Sequence, residues 1–381
     1  MLLFKLAVKR AIPPIRGHSS SISILRTPHK LCLPYNATNR YFHPANVRKT
    51  ALAGVRKPIL PATKDPKAII PFLSSIPEDT TEAYNELLQQ LAESGRSLQA
   101  QTTYDIKFRH DTLKPNVNTY TQLMLAYIND AKYEEAMDIY YQIRDSIQLT
   151  FSVEAYQQFI HSLTHNRQNS RQRQPESDPG WVEFTVEDVS IYAELNGDSD
   201  PALLTAFALF QDMRQFSHLP TTSQMYIDLL QACAEQKDAY ILERLHKLLR
   251  MDLCLDPDIH VYHQLMEAYR ATNDGSSVIE IWEMTDSRLW NGTTASILLK
   301  TCLENGYYIR SDAVWERLKA ERPDITIAVD DFNSYLLCLL KHQDIDKAQQ
   351  VLERGLLAGE ADESSVEILR RFNLKSSTEN S

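Results

Sequence analysis

No residue set in this 381-residue chain is spaced for covalent chemistry. There is no GxxxxGKS/T loop to cradle phosphates, no HExxH pair, no GxSxG nucleophile turn and no compact carboxylate cluster with metal spacing. Asp330 and Asp331 are adjacent, but they precede an apolar helical stretch, where acids simply favour a helix N-terminus. The five cysteines, Cys32, Cys233, Cys254, Cys302 and Cys338, include no CxxC pair. They support neither disulfides nor a zinc site. Cys233, Cys302 and Cys338 fall inside apolar helical stretches and read as small buried hydrophobes. Arg167, Arg171 and Arg173 form a basic cluster that can touch phosphate, although a solvated loop is the simpler reading of the polar stretch around them. The chain is therefore expected not to be an enzyme, and to need no metal and no cofactor. Its function is expected to lie in binding.

Charge is distributed unevenly. Residues 1–75 hold 13 of the 40 Lys/Arg and one of the 50 Asp/Glu, Asp65, for a net +12; the remainder holds 27 against 49, a net −22. The head begins MLLFKLAVKRAIPPI, and Lys5 and Lys9 share one helical face beside Leu2, Leu3, Leu6 and Val8. A segment that is basic, Ser-rich, acid-poor and amphipathic has the signature of a mitochondrial transit peptide. Residues 1–42 are expected to be that peptide, with cleavage near Arg40-Tyr41-Phe42, and the mature chain is expected in the matrix. Residues 43–78 contain Pro58, Pro61, Pro66, Pro71 and Pro77 and read as an extended Pro-rich linker. No run of 18 apolar residues occurs, so no transmembrane helix is expected.

The body repeats itself. An aromatic followed two or three residues later by Leu or Met recurs at Tyr84, Tyr120, Tyr156, Tyr226, Tyr262 and Phe332, with spacings of 36, 36, 70, 36 and 70. The last interval holds a further copy, TASILLKTCL, with Ala295 at the aromatic position. Each copy leads into a second apolar-periodic stretch. In YEEAMDIYYQIRD, Ala136, Ile139, Tyr140 and Ile143 mark one face of a helix. LLTAFALFQDMRQ repeats the pattern with Ala206, Leu209, Phe210 and Met213. Pro followed by a small polar residue closes several units: Pro115-Asn116, Pro220-Thr221, Pro257-Asp258 and Pro323-Asp324. Proline stops one helix and the polar residue can cap the next. A single hairpin cannot bury its apolar face, but stacked neighbours can, and Ala136 and Ala206 permit close approach.

These units resemble pentatricopeptide repeats; the best copy is NVNTYTQLMLAYINDAKYEEAMDIYYQIRDSIQLT. The resemblance covers about Thr81 to Gly359. It implies an all-α, right-handed α-solenoid of about seven helix-turn-helix repeats, over residues 79–360. Between EAYQQFIHSLTH and LLTAFALFQDMRQ lie about 35 extra residues. Either the third unit carries an insertion or a degenerate unit lies here; the insertion is favoured, with a polar loop around 166–185. DESSVEILRRFN then suits a capping helix within 361–381, followed by a disordered end.

The resemblance further implies binding of single-stranded RNA, one base per repeat. In that family, bases are read by the residue after the first-helix aromatic and by the residue at the unit's end. On this chain the pairs are Asn85 with Asn116, Thr121 with Phe151, Gln157 with Thr221, Ile227 with Asp258, His263, Ser296 with Asp324, and Asn333. Asn85 with Asn116 is a standard pair and implies a pyrimidine. Phe151 is a poor reader and Ile227 cannot hydrogen-bond a base edge. Asn116 and Asp258, each after a proline, are equally placed to cap helices. The partner expected is mitochondrial single-stranded RNA, met by a monomer; the acidic body also suits a scaffold contacting the mitochondrial ribosome or other matrix proteins, or assisting respiratory-complex assembly.

Overall fold

A computed structural model describes residues 60–379, apart from 61–62, 75, 77–78, 110–112, 147–148, 166–199 and 254. The expected transit peptide, most of the linker and the polar loop around 166–185, with Arg167, Arg171 and Arg173, lie outside the described residues.

Among the described residues seven hairpins follow one another: α1 (Thr81–Glu93) with α2 (Ser97–Tyr104), α3 (Val117–Asn129) with α4 (Tyr133–Arg144), and α5 (Val153–His165) with α6 (Pro201–Gln215). Then come α7 (Ser223–Gln236) with α8 (Ala239–Arg250), α9 (Ile259–Ala271) with α10 (Gly275–Met284), α11 (Gly292–Glu304) with α12 (Tyr308–Glu321), and α13 (Val329–Lys341) with α14 (Ile345–Ala358). A last helix, α15 (Glu363–Glu379), packs on α13 and α14. Each odd-numbered helix packs on its own partner and on the next odd-numbered helix, so the first helices form one continuous layer of the solenoid. No strand occurs among the described residues.

Local chemistry sets each boundary. Thr80, Asn116, Thr222, Asp258 and Asn291 cap the first helices through side-chain oxygens that accept backbone N–H groups. Asn116 caps as expected, and so does Asp258. At Pro220-Thr221 the cap falls one residue later, on Thr222. At Pro323-Asp324 there is no cap: α13 starts at Val329, and Asp324 instead pairs with Arg322. The turns inside the hairpins share a device. Gly95, Ala131, Lys237, Asn273, Gly306 and Gln343 all have positive φ, from 57° to 70°. In each case the next N–H reaches back to a first-helix carbonyl five residues earlier, as in Lys132 to Tyr127 and Asp344 to Leu339. This is the Schellman closure, which satisfies carbonyls the helix end leaves unpaired.

The repeat aromatics are buried joints. Tyr84, Tyr156, Tyr226 and Phe332 are buried, as are Ala136, Ala206 and Ala348. At three joints a tyrosine hydroxyl ties the first helix to the second helix before it. Tyr120 meets Tyr104 at 3.0 Å, Tyr156 meets Tyr140 at 2.9 Å, and Arg214 donates to Tyr226 at 2.9 Å. Tyr140 also donates to the buried Asp212. Cys233, Cys302 and Cys338 are buried, and burial pushes the Cys302 thiol up to about 12 and the Cys338 thiol to about 11.

Two segments differ from expectation. Within the Pro-rich linker, Asp65 caps a 3-10 turn (Pro66–Ile69) that runs into Ile70–Leu73. Pro66 and Pro71 stand in first turns, where a missing N–H costs nothing. Ile69 and Leu73 are buried, and Gln99 of α2 donates to the Thr63 and Asp65 carbonyls at 2.8 Å each. This stretch therefore covers the open end of the first repeat. At the other end α15 continues to Glu379, beyond DESSVEILRRFN and into the end that was expected to be disordered. The segment has no Pro or Gly to stop the helix.

Candidate nucleic-acid interface

The residue after each repeat aromatic lies on the first-helix layer, but most of these side chains turn into the seam between repeats. Asn85 is 4% exposed. Its Nδ2 donates to Asn116 Oδ1 at 3.1 Å, and its Oδ1 accepts from Thr119 Oγ1 at 2.7 Å. Asn85 and Asn116 are thus brought together. Asn116 is simultaneously the cap of α3, accepting Thr119 N at 2.9 Å within a reciprocal capping box. His263 Nε2 lies 2.8 Å from Thr294 Oγ1, at the same place in the next repeat's first turn. Burial holds His263 down at about 4, with a smaller push from His260. Ser296 donates to Asp331 at 2.8 Å. Asn333 donates to Ser364 at 3.0 Å and accepts from Ser365 at 2.6 Å. Four of the seven joints therefore carry the same polar link, from the residue after the aromatic to the start of the next first helix.

The other positions are placed differently. Thr121 is buried and donates to the Val117 carbonyl of its own helix at 2.9 Å. Phe151 is buried core, its ring stacked on Tyr140 and edge-on to Tyr156 and Phe159. Gln157 is half-buried. Thr221 donates to Asp252 at 2.5 Å. Ile227 packs against the core. Asp258 caps α9 through Val261 N at 3.0 Å. Asp324 is exposed and held by Arg322, which keeps its carboxyl down at about 2. Asn85 keeps one N–H and one lone pair unused, but both lie in a closed seam.

The polar side chains of this layer that do face solvent include Gln158, His161, His165, Gln224 and His260. They sit a part-turn away from the aromatic register. Their signal in the sequence was simply helical phase, counted from the buried aromatics.

The electrostatics of the layer are distinctive. Its seven first helices contain three Lys/Arg (Arg270, Lys300 and Lys341) against ten Asp/Glu. Arg270 is held by Glu267 and Glu304, and Lys300 by Asp331. Little positive charge is left to neutralise phosphates.

Against this geometry, the comparisons with known proteins are as follows. Residues 107–147 match the profile of the pentatricopeptide repeat domain family, covering the second hairpin. Among solved structures, the pentatricopeptide repeat protein PPR10 from maize is similar with a TM-score of 0.42 at 12% identity, over 82% of this chain and 44% of that one. PPR10 in complex with an 18-nt psaJ RNA element gives a TM-score of 0.34 at 12% identity, over 81% and 45%. The chain thus spans less than half the length of these structures. No curated protein matches it.

Proposed function

We propose that this pentatricopeptide repeat protein binds single-stranded RNA along its layer of first helices, and that it does so in the mitochondrial matrix. Holding an organellar transcript there would support its processing, stability or translation by occupancy: bound RNA is shielded from nucleases and from misfolding. The observation that carries this reading is the repeat geometry itself. Equivalent positions recur once per hairpin on one uninterrupted layer, which is what reading successive unstacked bases requires. The exposed amides and imidazoles of that layer supply donors and acceptors, while the buried Asn85, His263 and Asn333 and the half-buried Ser296 hold the spacing between repeats.

With three cations on the layer, binding should depend only weakly on salt. Counterion release from single strands gives a slope of about −0.7 per neutralised phosphate, hence a log–log slope no steeper than about −2. Crosslinking and sequencing of RNA bound in isolated mitochondria is the direct test. Recovery of a discrete transcript is expected; none above background, while a protein partner co-purifies, refutes it. Removing residues 1–58 should leave the protein in the cytosol, as followed by fractionation.

A second reading is favoured by one observation, the excess of ten acids over three bases on the same layer. Such a surface suits a basic protein partner, as a scaffold on the mitochondrial ribosome or in respiratory-complex assembly. A steep salt dependence of protein capture, with no RNA recovered, would identify it.

A further inference from the structure

The third and fourth repeats meet at a cluster that takes no part in the polar links above. His161 and His165 lie one turn apart on α5, with ring centroids 4.1 Å apart and nearly parallel planes. The i, i+4 spacing puts both on one face. Asp228 reaches them from α7, the next first helix. One ligand atom from each of the three residues lies within 4.8 Å of the others. His161 Nδ1 is 3.1 Å from Asp228 Oδ2.

Three features point to a cation. First, Asp228 is 1% exposed, yet among the described residues no Lys or Arg pairs with it. Its partners are Gln224, which donates to Oδ1 at 2.6 Å, and His161. A buried carboxylate without a full positive charge beside it is costly, and a metal ion removes that cost. Second, His165 is already oriented. Its Nδ1 lies 2.9 Å from the Thr164 hydroxyl and 3.2 Å from the His161 carbonyl; Thr164 donates its own proton to the Ile160 carbonyl at 2.9 Å and can accept in turn, so both neighbours suit a proton on Nδ1. Nε2 is left with a lone pair. A carbonyl behind the ring is the outer support that metal-binding imidazoles typically have. Third, the donor set is two imidazoles and a carboxylate. That combination suits zinc and its neighbours, whereas calcium and magnesium prefer oxygen alone. Around a tetrahedral ion with bonds of about 2.1 Å, donors stand roughly 3.4 Å apart. The His161–Asp228 pair is close to that already, and both histidines are exposed and can adjust.

We propose that His161, His165 and Asp228 bind one zinc-class divalent ion that clamps the third repeat to the fourth. The fourth coordination position faces solvent, since both imidazoles are exposed.

The test uses the full chain, stripped of metal, with zinc chloride as the probe. Competition against a chromophoric chelator and metal analysis after dialysis should give one zinc per chain, with a rise in melting temperature. His165→Ala changes an exposed side chain, so its metal-free melting temperature should equal the parent's, while its zinc affinity should fall by a factor of at least about ten. Asp228→Asn should also lose zinc, and calcium should not compete. Absence of a stoichiometric ion on the parent chain, or unchanged affinity in His165→Ala, overturns the proposal.

Discussion

Asn85→Ala separates a base reader from a repeat joint. The substitution removes two hydrogen bonds across the first seam, to Asn116 at 3.1 Å and from Thr119 at 2.7 Å. Neither partner is stranded. Thr119 Oγ1 still reaches Asn116 Oδ1 at 3.1 Å, and Asn116 Oδ1 still caps α3. The expected cost is therefore that of two buried bonds without an orphaned group, about 2 kcal/mol. Repeat arrays unfold from their ends, so the loss should fall on the first hairpin rather than on the whole chain. Hydrogen exchange is the suitable assay: amides of α1 and α2 should exchange roughly 30-fold faster, since each 1.4 kcal/mol is tenfold, and amides of α11 to α14 should not change. Gln157→Ala, at a half-buried residue without such links, should stay within about 0.5 kcal/mol of the parent. If α1 and α2 kept their protection in Asn85→Ala while affinity for single-stranded RNA fell, the seam argument would be refuted and base contact would take its place.

Other expectations follow from the turns and from burial. Ala131 occupies a left-handed turn position with φ of 58°, where glycine carries no steric penalty. Ala131→Gly should stabilise the second hairpin by roughly 0.5–1 kcal/mol, read as a rise in the melting temperature; a fall would show that the turn is not strained. His263 is held at about 4 when folded and returns to about 6.5 when unfolded. The unfolded chain thus binds the proton more readily, so this residue's contribution to stability is complete above pH 6.5 and is lost as pH falls toward 4. Melting curves of the parent and of His263→Gln should diverge with pH only inside that window, and parallel curves throughout would contradict the burial argument.

Much of the architecture is legible in the sequence because it is written in periodicities. Tyr84, Tyr120, Tyr156, Tyr226, Tyr262 and Phe332 recur in register, and the structure places a first helix at every one of them. Ala295 keeps its place in the register because α11 is set by its Asn291 cap, and the buried Trp290 just before the helix packs on Trp282 of α10. What composition cannot show is the local use of proline. Pro66 and Pro71 read as breakers of regular structure, yet both sit in first turns, where proline is tolerated. Caps behave likewise: a Pro-x dipeptide fixes a cap only to within a residue, as Thr222 shows against Thr221, because several adjacent hydroxyls can reach the same N–H.

The candidate site was less legible, for a physical reason. A polar residue next to a buried aromatic on a helix can face either the groove or the neighbouring hairpin, and sequence spacing alone does not choose. The choice depends on what the next repeat offers one period later. Thr119, Thr294, Asp331 and Ser365 each offer a hydroxyl or carboxylate there, and Asn85, His263, Ser296 and Asn333 turn toward them. Gln157 forms no such link, and its helix is instead the one that carries His161 and His165 on its exposed face. The pair is visible as an i, i+4 spacing, but its third member, Asp228, stands 67 residues further along, beyond the long segment that interrupts the third repeat. Polar residues at the seams thus tie one repeat to the next, and the residues a part-turn outside them are the ones that face solvent. Substitutions at the first set should act through stability, and substitutions at the second through binding.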